Sequence, residues 1–319
     1  MGLKGKRAMF FTFTALVFIS LLLFVKIPRT SRYTYQEQQA VINRIQAIDS
    51  FIENIKKDAD IAMHTAGFRS LIGMIQKIQE TGLYIPSVQS RGNEMMKEGT
   101  YGGDPIFVMA NNTLHNWIEK MGLQAERLGV DLNITIGDIA FFHTDPWEVS
   151  LATNMTFYLN DTRNLAEWNF TAEIESAIPI EGYLDPVYII GTGNLIIRTI
   201  NISPYAGNFS NASVLNLRSH MQQGLYLSYS EAPNYLMRLE GDLTAAGDDT
   251  GIESLVYKDD LAAHLPIDEH KTNIDHIYFS SDDPVAYHVG GMATSFALDN
   301  QTNGNVSRHE LYNVTGRII

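Results

Sequence analysis

The sequence predicts an α+β fold: a single N-terminal transmembrane helix, a long amphipathic helix, and then an antiparallel β-sheet body with short helices. Three observations predict it. Ala8 to Val25 form an uncharged run without Pro or Gly. Val41, Ile45, Ile48, Ile52, Ile55, Ala59, Ala62 and Ala66 then recur in strict 4-3-4-3 spacing, the seam of a helix packed along its length. Beyond Gly129 the apolar period changes from near 3.6 to 2, as in half-buried strands.

The apolar run spans about 27 Å as a helix, just enough to cross a bilayer core. Lys4, Lys6 and Arg7 precede it, and Lys26, Pro28, Arg29 and Arg32 follow. A removable secretory signal fits the basic start, but no small-x-small cleavage site follows the run. A retained single-pass anchor is the second reading. For the third, Lys6-Arg7-Ala8 followed by Met9-Phe10-Phe11 resembles the class III signal of archaeal type IV pilin-like proteins. That resemblance implies a cut between Ala8 and Met9, with the apolar run kept on the mature chain. Ala8 stands where Gly is more usual, and Met9 where Gln is common.

The flanking charges give little positive-inside bias, so orientation rests on glycosylation signals. Asn-x-Ser/Thr occurs at Asn111, Asn133, Asn154, Asn160, Asn169, Asn201, Asn208, Asn211, Asn300, Asn305 and Asn313, half of the 22 asparagines. Chance at this Ser/Thr content gives roughly three such matches. All lie beyond residue 110, as expected of a body outside the membrane. An Asn- and Thr-rich β surface with accidental matches is the alternative. The net charge of -13 argues against nucleic acid as a partner. Without cysteine, disulfides, thiol catalysis and zinc-thiolate sites are excluded.

In chain order, four regions are expected: 1–30, basic leader and anchor; 31–85, long helical segment; 86–204, helix plus sheet; and 205–319, a second α+β region ending in a β-hairpin. Gly67 is expected to bend or end the first helical stretch, and Ile72, Ile75 and Ile78 carry a second to Gly82. The helix is expected to pack on its own body, with a coiled coil as the alternative. Pro86 to Ile106 lacks periodicity and reads as a loop. A short helix from Thr113 to Leu128 closes at Gly129. Three strands follow, around Leu132–Ile136, Val149–Leu159 and Trp168–Ile174, with Asn133, Asn154 and Asn169 all in the polar register.

Pro186 to Ile202 is expected to be strand broken at Gly191-Thr192-Gly193, and Val214 to Leu227 helical. His276–Ser280, Val285–Val289 and a hairpin from Ser295 to Val314 complete the β reading. The order of anchor, long helix and sheet resembles a type IV pilin-like subunit. The segments Glu181–Tyr188, Ala232–Glu240 and Ile277–Ser281 resemble an uncharacterised group of archaeal membrane-anchored surface proteins. That second resemblance implies a location and an architecture, and no activity.

Catalytic signatures are missing. No HExxH, GxSxG or Walker-type loop occurs. His264, His270, His276, His288 and His309, with Asp259, Asp260, Asp268, Glu269, Asp275, Asp282 and Asp283, crowd the last third without ligand spacing. One stretch nearly matches a calcium loop: Asp299, Gln301, Asn303, Asn305 and Glu310, with Gly304 at the turn. A hairpin turning at Asn303-Gly304 is the preferred alternative. No cofactor is expected. The expected function is a non-catalytic, membrane-anchored extracellular surface protein, a pilin-like structural or adhesive component. Its partners are membrane lipid through Ala8–Val25 and other pilin-like or envelope subunits. A solitary ligand-binding module is the rival reading, and a membrane-tethered hydrolase the different-class alternative.

Overall fold

The computed structural model describes residues 3–209, 213–303 and 306–319, and side chains outside 3–8, 24–35 and 303. One helix, α1, runs from Leu3 to Thr81, 79 residues or about 120 Å. Every described side chain from Met9 to Leu23 is exposed. Among the described residues no helix is long and apolar enough to cross a membrane. The transmembrane helix expected over Ala8–Val25 is therefore not found among them, and its described side chains reach only from Met9 to Leu23.

From Ile48 onward α1 is the spine of the body. Ile48, Ile52, Ile55, Ala59 and Ala66 of the expected seam are buried, joined by Met63, Leu71, Met74 and Ile78. They enter one core with the sheet rather than a second copy of the helix. Gly67 does not end α1, which runs on to Thr81. A Cβ there would meet Leu151 Cδ1 at 2.2 Å and Ile178 Cδ1 at 2.7 Å, so the glycine lets the helix lie close on the sheet. Polar ties run along the same contact. Arg44 pairs with buried Asp161, and the indole N–H groups of Trp117 and Trp168 donate to Asp58 and Asp49, each at 3.1 Å.

The segment read as a loop after Pro86 contains α2, Val88–Glu98. The Ser87 hydroxyl accepts the Ser90 N–H, and Gly99 ends the helix in the left-handed region at φ 77°. Its buried face is Val88, Gly92, Met95 and Met96. Gly92 hides the period, because the ring of Phe141 occupies the place of its side chain. A hairpin of β1 (Thr100–Tyr101) and β2 (Asp104–Pro105) leads to α3, Leu114–Arg127, the short helix the sequence predicts, whose N-cap is Thr113.

The main sheet has four strands: β3 (Val130–Ile136), β4 (Ala140–Asp145), β5 (Glu148–Asp161) and β6 (Glu167–Pro179). All pairings are antiparallel. The long β5 is central. It pairs with β6 along its whole length, and with β3 and β4 end to end on the other edge. Val149, Leu151, Met155, Phe157 and Leu159 of β5 are buried in the core shared with α1, each removal from water contributing roughly 1.5–3 kcal/mol. The three strands read from alternation are present in that register, and β4 is an addition to them.

After the sheet the elements are short. Asp185 caps α4 (Pro186–Gly191), where a strand was expected; Asp-Pro is a helix-start signal, with proline at the first helical position. Helix α5 (Leu215–Gln223) ends at Gly224, and β7 (Tyr226–Ser228) pairs with β8 (Ile252–Ser254) across α6, Tyr235–Glu240. Next come α7 (Lys258–Ala262) and α8 (Asp275–Tyr278), a helical turn where β-structure was expected. Strand β9 (Ala286–His288) pairs with β10 (Ala297–Asp299), and β11 (Thr302–Asn303) with β12 (Val306–Ser307). Thus the expected terminal hairpin from Ser295 is two separate pairings, followed by α9, Arg308–Leu311. Tyr226, Tyr235, Leu239 and Ile252 belong to the same core as α1 and the sheet.

Candidate functional site

A groove of about 340 Å³ lies where α2, β4 and α6 meet. Most of its polar groups hold the walls together. Gln89 accepts the Phe141 N–H at 3.0 Å and donates to the Ile139 carbonyl. Glu240 accepts the Val88 N–H at 2.6 Å, and Asn234 caps α6 by accepting the Met237 N–H. Asp248 is tied to Thr250.

His143 differs. Its Nδ1 lies 3.2 Å from the Asp145 carbonyl, while its buried Nε2 has no partner. Burial pushes its pKa below the ordinary 6.5, against the pull of nearby carboxylates including Asp248. The ring is then neutral at pH 7, with Nδ1–H directed to the carbonyl and Nε2 left as an acceptor. No Ser, Thr or Lys lines this groove. The groove brings together no nucleophile and base. A second, apolar groove of about 410 Å³ lies between Phe68, Ile72 and Ile75 of α1 and the 181–184 turn.

Helix α6, which lines the first groove, also carries one arginine of a buried charge network. Arg238, fully buried on α6, donates from Nη1 to Asp185 at 2.7 Å and to Asp275 at 3.0 Å, and from Nη2 to Asp275 at 3.2 Å. Tyr226 donates to Asp185 and Ser254 to Asp275, both at 2.7 Å. Arg308 repeats the pattern on α9, with Nε to Glu253 at 3.0 Å and Nη1 to Asp299 at 2.7 Å. His276 joins the halves, its backbone N–H on Asp275 and its Nε2 3.3 Å from Arg308.

Two buried guanidinium groups thus face four buried carboxylates. Burial works against charge on Asp185, Glu253 and Asp275. It prevails at Asp185, whose pKa rises, and at Glu253, pushed up to about 7. At Asp275 the Arg238 and His276 contacts outweigh it and the pKa falls. Burial also holds His276 down at about 4. Among the described residues Arg238 Nε and Asp299 Oδ2 are left without a hydrogen-bond partner, but the other contacts tie seven chain segments together.

Of the calcium-loop residues, Asp299 is buried on Arg308, while Glu310 turns back to accept the Ser307 N–H at 2.8 Å in a capping box. Gln301 accepts from Arg308. Asp299 and Glu310 therefore serve different partners. Gly304 and Asn305 lie outside the described residues, as does the side chain of Asn303.

Within the His- and Asp-rich last third, Asp275 and His276 enter the buried network, and His309 sits 3.3 Å from the Leu298 carbonyl. His264, His270, Asp282 and Asp283 are exposed. Among the described residues no three His, Asp or Glu side chains converge on a site for a metal ion. Asn111, Asn133, Asn154, Asn169, Asn201, Asn208 and Asn300 are exposed; Asn160 and Asn313 are half-buried, and Asn211 lies outside the described residues. Asn313 donates its side-chain amide to the Phe209 carbonyl. The Ala8 side chain lies outside the described residues, and Met9 is exposed.

Sequence reasoning missed His143, Asp248 and both arginines. One signal was present for Arg238: it stands in Tyr235-Leu236-Met237-Arg238-Leu239, a charge on an otherwise apolar helical turn. No family model, curated protein or solved structure matches the chain.

Proposed function

We propose that this chain is a non-catalytic, membrane-anchored surface protein whose body lies outside the membrane, a pilin-like structural or adhesive component. One observation carries the reading. A single helix continues from the uncovered apolar side chains of Met9–Leu23 into the core of the body, where its last third is the spine. An exposed apolar run of that length needs a lipid or a packed helix to cover it. The uncharged sequence from Ala8 to Val25 and the eleven glycosylation signals support the same placement. The rival, a solitary binding module, draws support from the groove at His143 with its unpartnered Nε2.

The test is the N-terminal sequence of the protein recovered from its own membranes. A chain beginning at Met9 is the expected result and supports a pilin-like component. A start at Met1 or Gly2 leaves a static anchor and favours the solitary surface protein. Recovery from the soluble fraction, or a start beyond Val25, overturns the proposal.

A further inference from the structure

The outward face of the main sheet carries three glycosylation signals in one geometric arrangement. In each the Asn and Thr point outward and the middle residue inward: Asn133 and Thr135 around Ile134, Asn154 and Thr156 around Met155, Asn169 and Thr171 around Phe170. The period of 2 along a strand produces this, placing positions 1 and 3 of the signal on one face. Ile134 and Met155 are buried, and all three Asn and all three Thr are exposed.

The register brings the signals together. Thr135 pairs with Thr156, and Thr156 with Thr171, so the three threonines form one row across β3, β5 and β6. On one side of that row Asn133 and Asn169 flank Tyr158; on the other, Asn154 stands opposite Glu173. Asn133 and Asn169 are separated by two strand spacings, about 10 Å, with the exposed ring of Tyr158 between them.

We infer that Asn133, Asn154 and Asn169 carry N-linked sugars, making the outward face of the sheet a glycan-covered surface. The inference rests on the proposed placement of the body outside the membrane. The co-reactant is an oligosaccharide linked through its anomeric carbon to a membrane lipid phosphate, with a transferase. The Asn side-chain nitrogen forms a bond to the anomeric carbon, the carbon–oxygen bond to the lipid phosphate breaks, and the amide proton leaves with that phosphate.

At Asn154 transfer precedes folding. In the finished sheet β5 is hydrogen-bonded on both edges, and the Thr156 and Thr171 hydroxyls are 3.0 Å apart, bonded to each other. A transferase has no free segment to grip there, whereas β3 and β6 each pair with β5 alone. A face so covered is also closed to protein docking.

The experiment is peptide mass spectrometry on the full chain purified from its own cells, together with protease treatment of intact cells. Sugar mass on at least two of Asn133, Asn154 and Asn169 is expected. In the same cells T156V should remove the sugar from Asn154 alone, and T156S should retain it. Sugar at Asn201 or Asn208 with fewer than two of the sheet sites modified overturns the inference and leaves the external placement standing. An unmodified body cut by external protease does the same. An unmodified body protected from protease overturns both.

Discussion

At the scale of single residues, the buried charges decide how stability responds to pH. Glu253 loses its proton near 4.5 in an open chain but near 7 in the fold, where burial outweighs the Arg308 guanidinium. Between those values the folded protein holds a proton that the unfolded chain has released. The stability this confers is complete below 4.5, declines as pH rises, and is gone above 7. His220, held down at about 3, and His276, at about 4, act in the opposite sense; their contribution is present above 6.5 and is lost as pH falls. The Glu253 effect is therefore read as a difference. Urea unfolding of the natural chain and of E253Q, at pH 5 and pH 8, should show the natural chain losing roughly 2 to 3 kcal/mol relative to the variant. An equal response in both proteins would mean that Glu253 is ionised throughout. None of this was legible in the sequence. Asp185, Arg238, Glu253, Asp275, Asp299 and Arg308 come from separate segments, and a pairing made only by tertiary folding leaves no local spacing.

At the scale of elements, glycines at close approaches carry much of the architecture, and they separate two kinds of crowding. A Cβ on Gly67 meets the ends of the Leu151 and Ile178 side chains, which can turn aside at the cost of repacking a filled core. A Cβ on Gly251, at the entry to β8, meets the carbonyl oxygens of Ala232 at 2.1 Å and Tyr229 at 2.3 Å. Backbone has no rotamer to change, so the β7–β8 junction itself must move. G67A should cost about 1–3 kcal/mol, and G251A more than G67A, measured by chemical unfolding of the two variants. Equal costs would show that the junction yields as easily as a side chain. The same glycines mark where elements escaped the sequence. Gly92 erased the period of α2 and Gly67 imitated a helix end, because a missing side chain looks alike in a turn and in a tight contact. Strands β3, β5 and β6 were legible because each is half-wet, and their alternation survives intact. Helix α4 was misread because its buried residues, Pro186 to Ile189, show no alternation at all, while its cap lies in the Asp-Pro pair.

At the scale of the whole molecule, α1 divides the protein into two solvents' worth of surface. Its described N-terminal side chains are apolar and uncovered, whereas burial begins at Ile48 and continues through Ile78. Among the described residues, the last tie of α1 to the body toward the N-terminus is Arg44, paired with Asp161 at the end of β5. Among the described residues nothing before Ile48 enters the core. A chain beginning at Gln36 should therefore fold as the intact body does, with a thermal midpoint within a few degrees of the full protein. The same chain should remain in the soluble fraction and should not self-assemble, since the run that demands covering is gone. Circular dichroism with thermal melting checks the first outcome, and sedimentation of membranes with and without the truncated chain checks the second. A truncated chain that melts far lower would place part of the body's stability in the apolar run. One that still sediments with membranes would move the site of attachment onto the body, where the groove between Phe68, Ile72 and Ile75 and the 181–184 turn is an apolar recess of about 410 Å³.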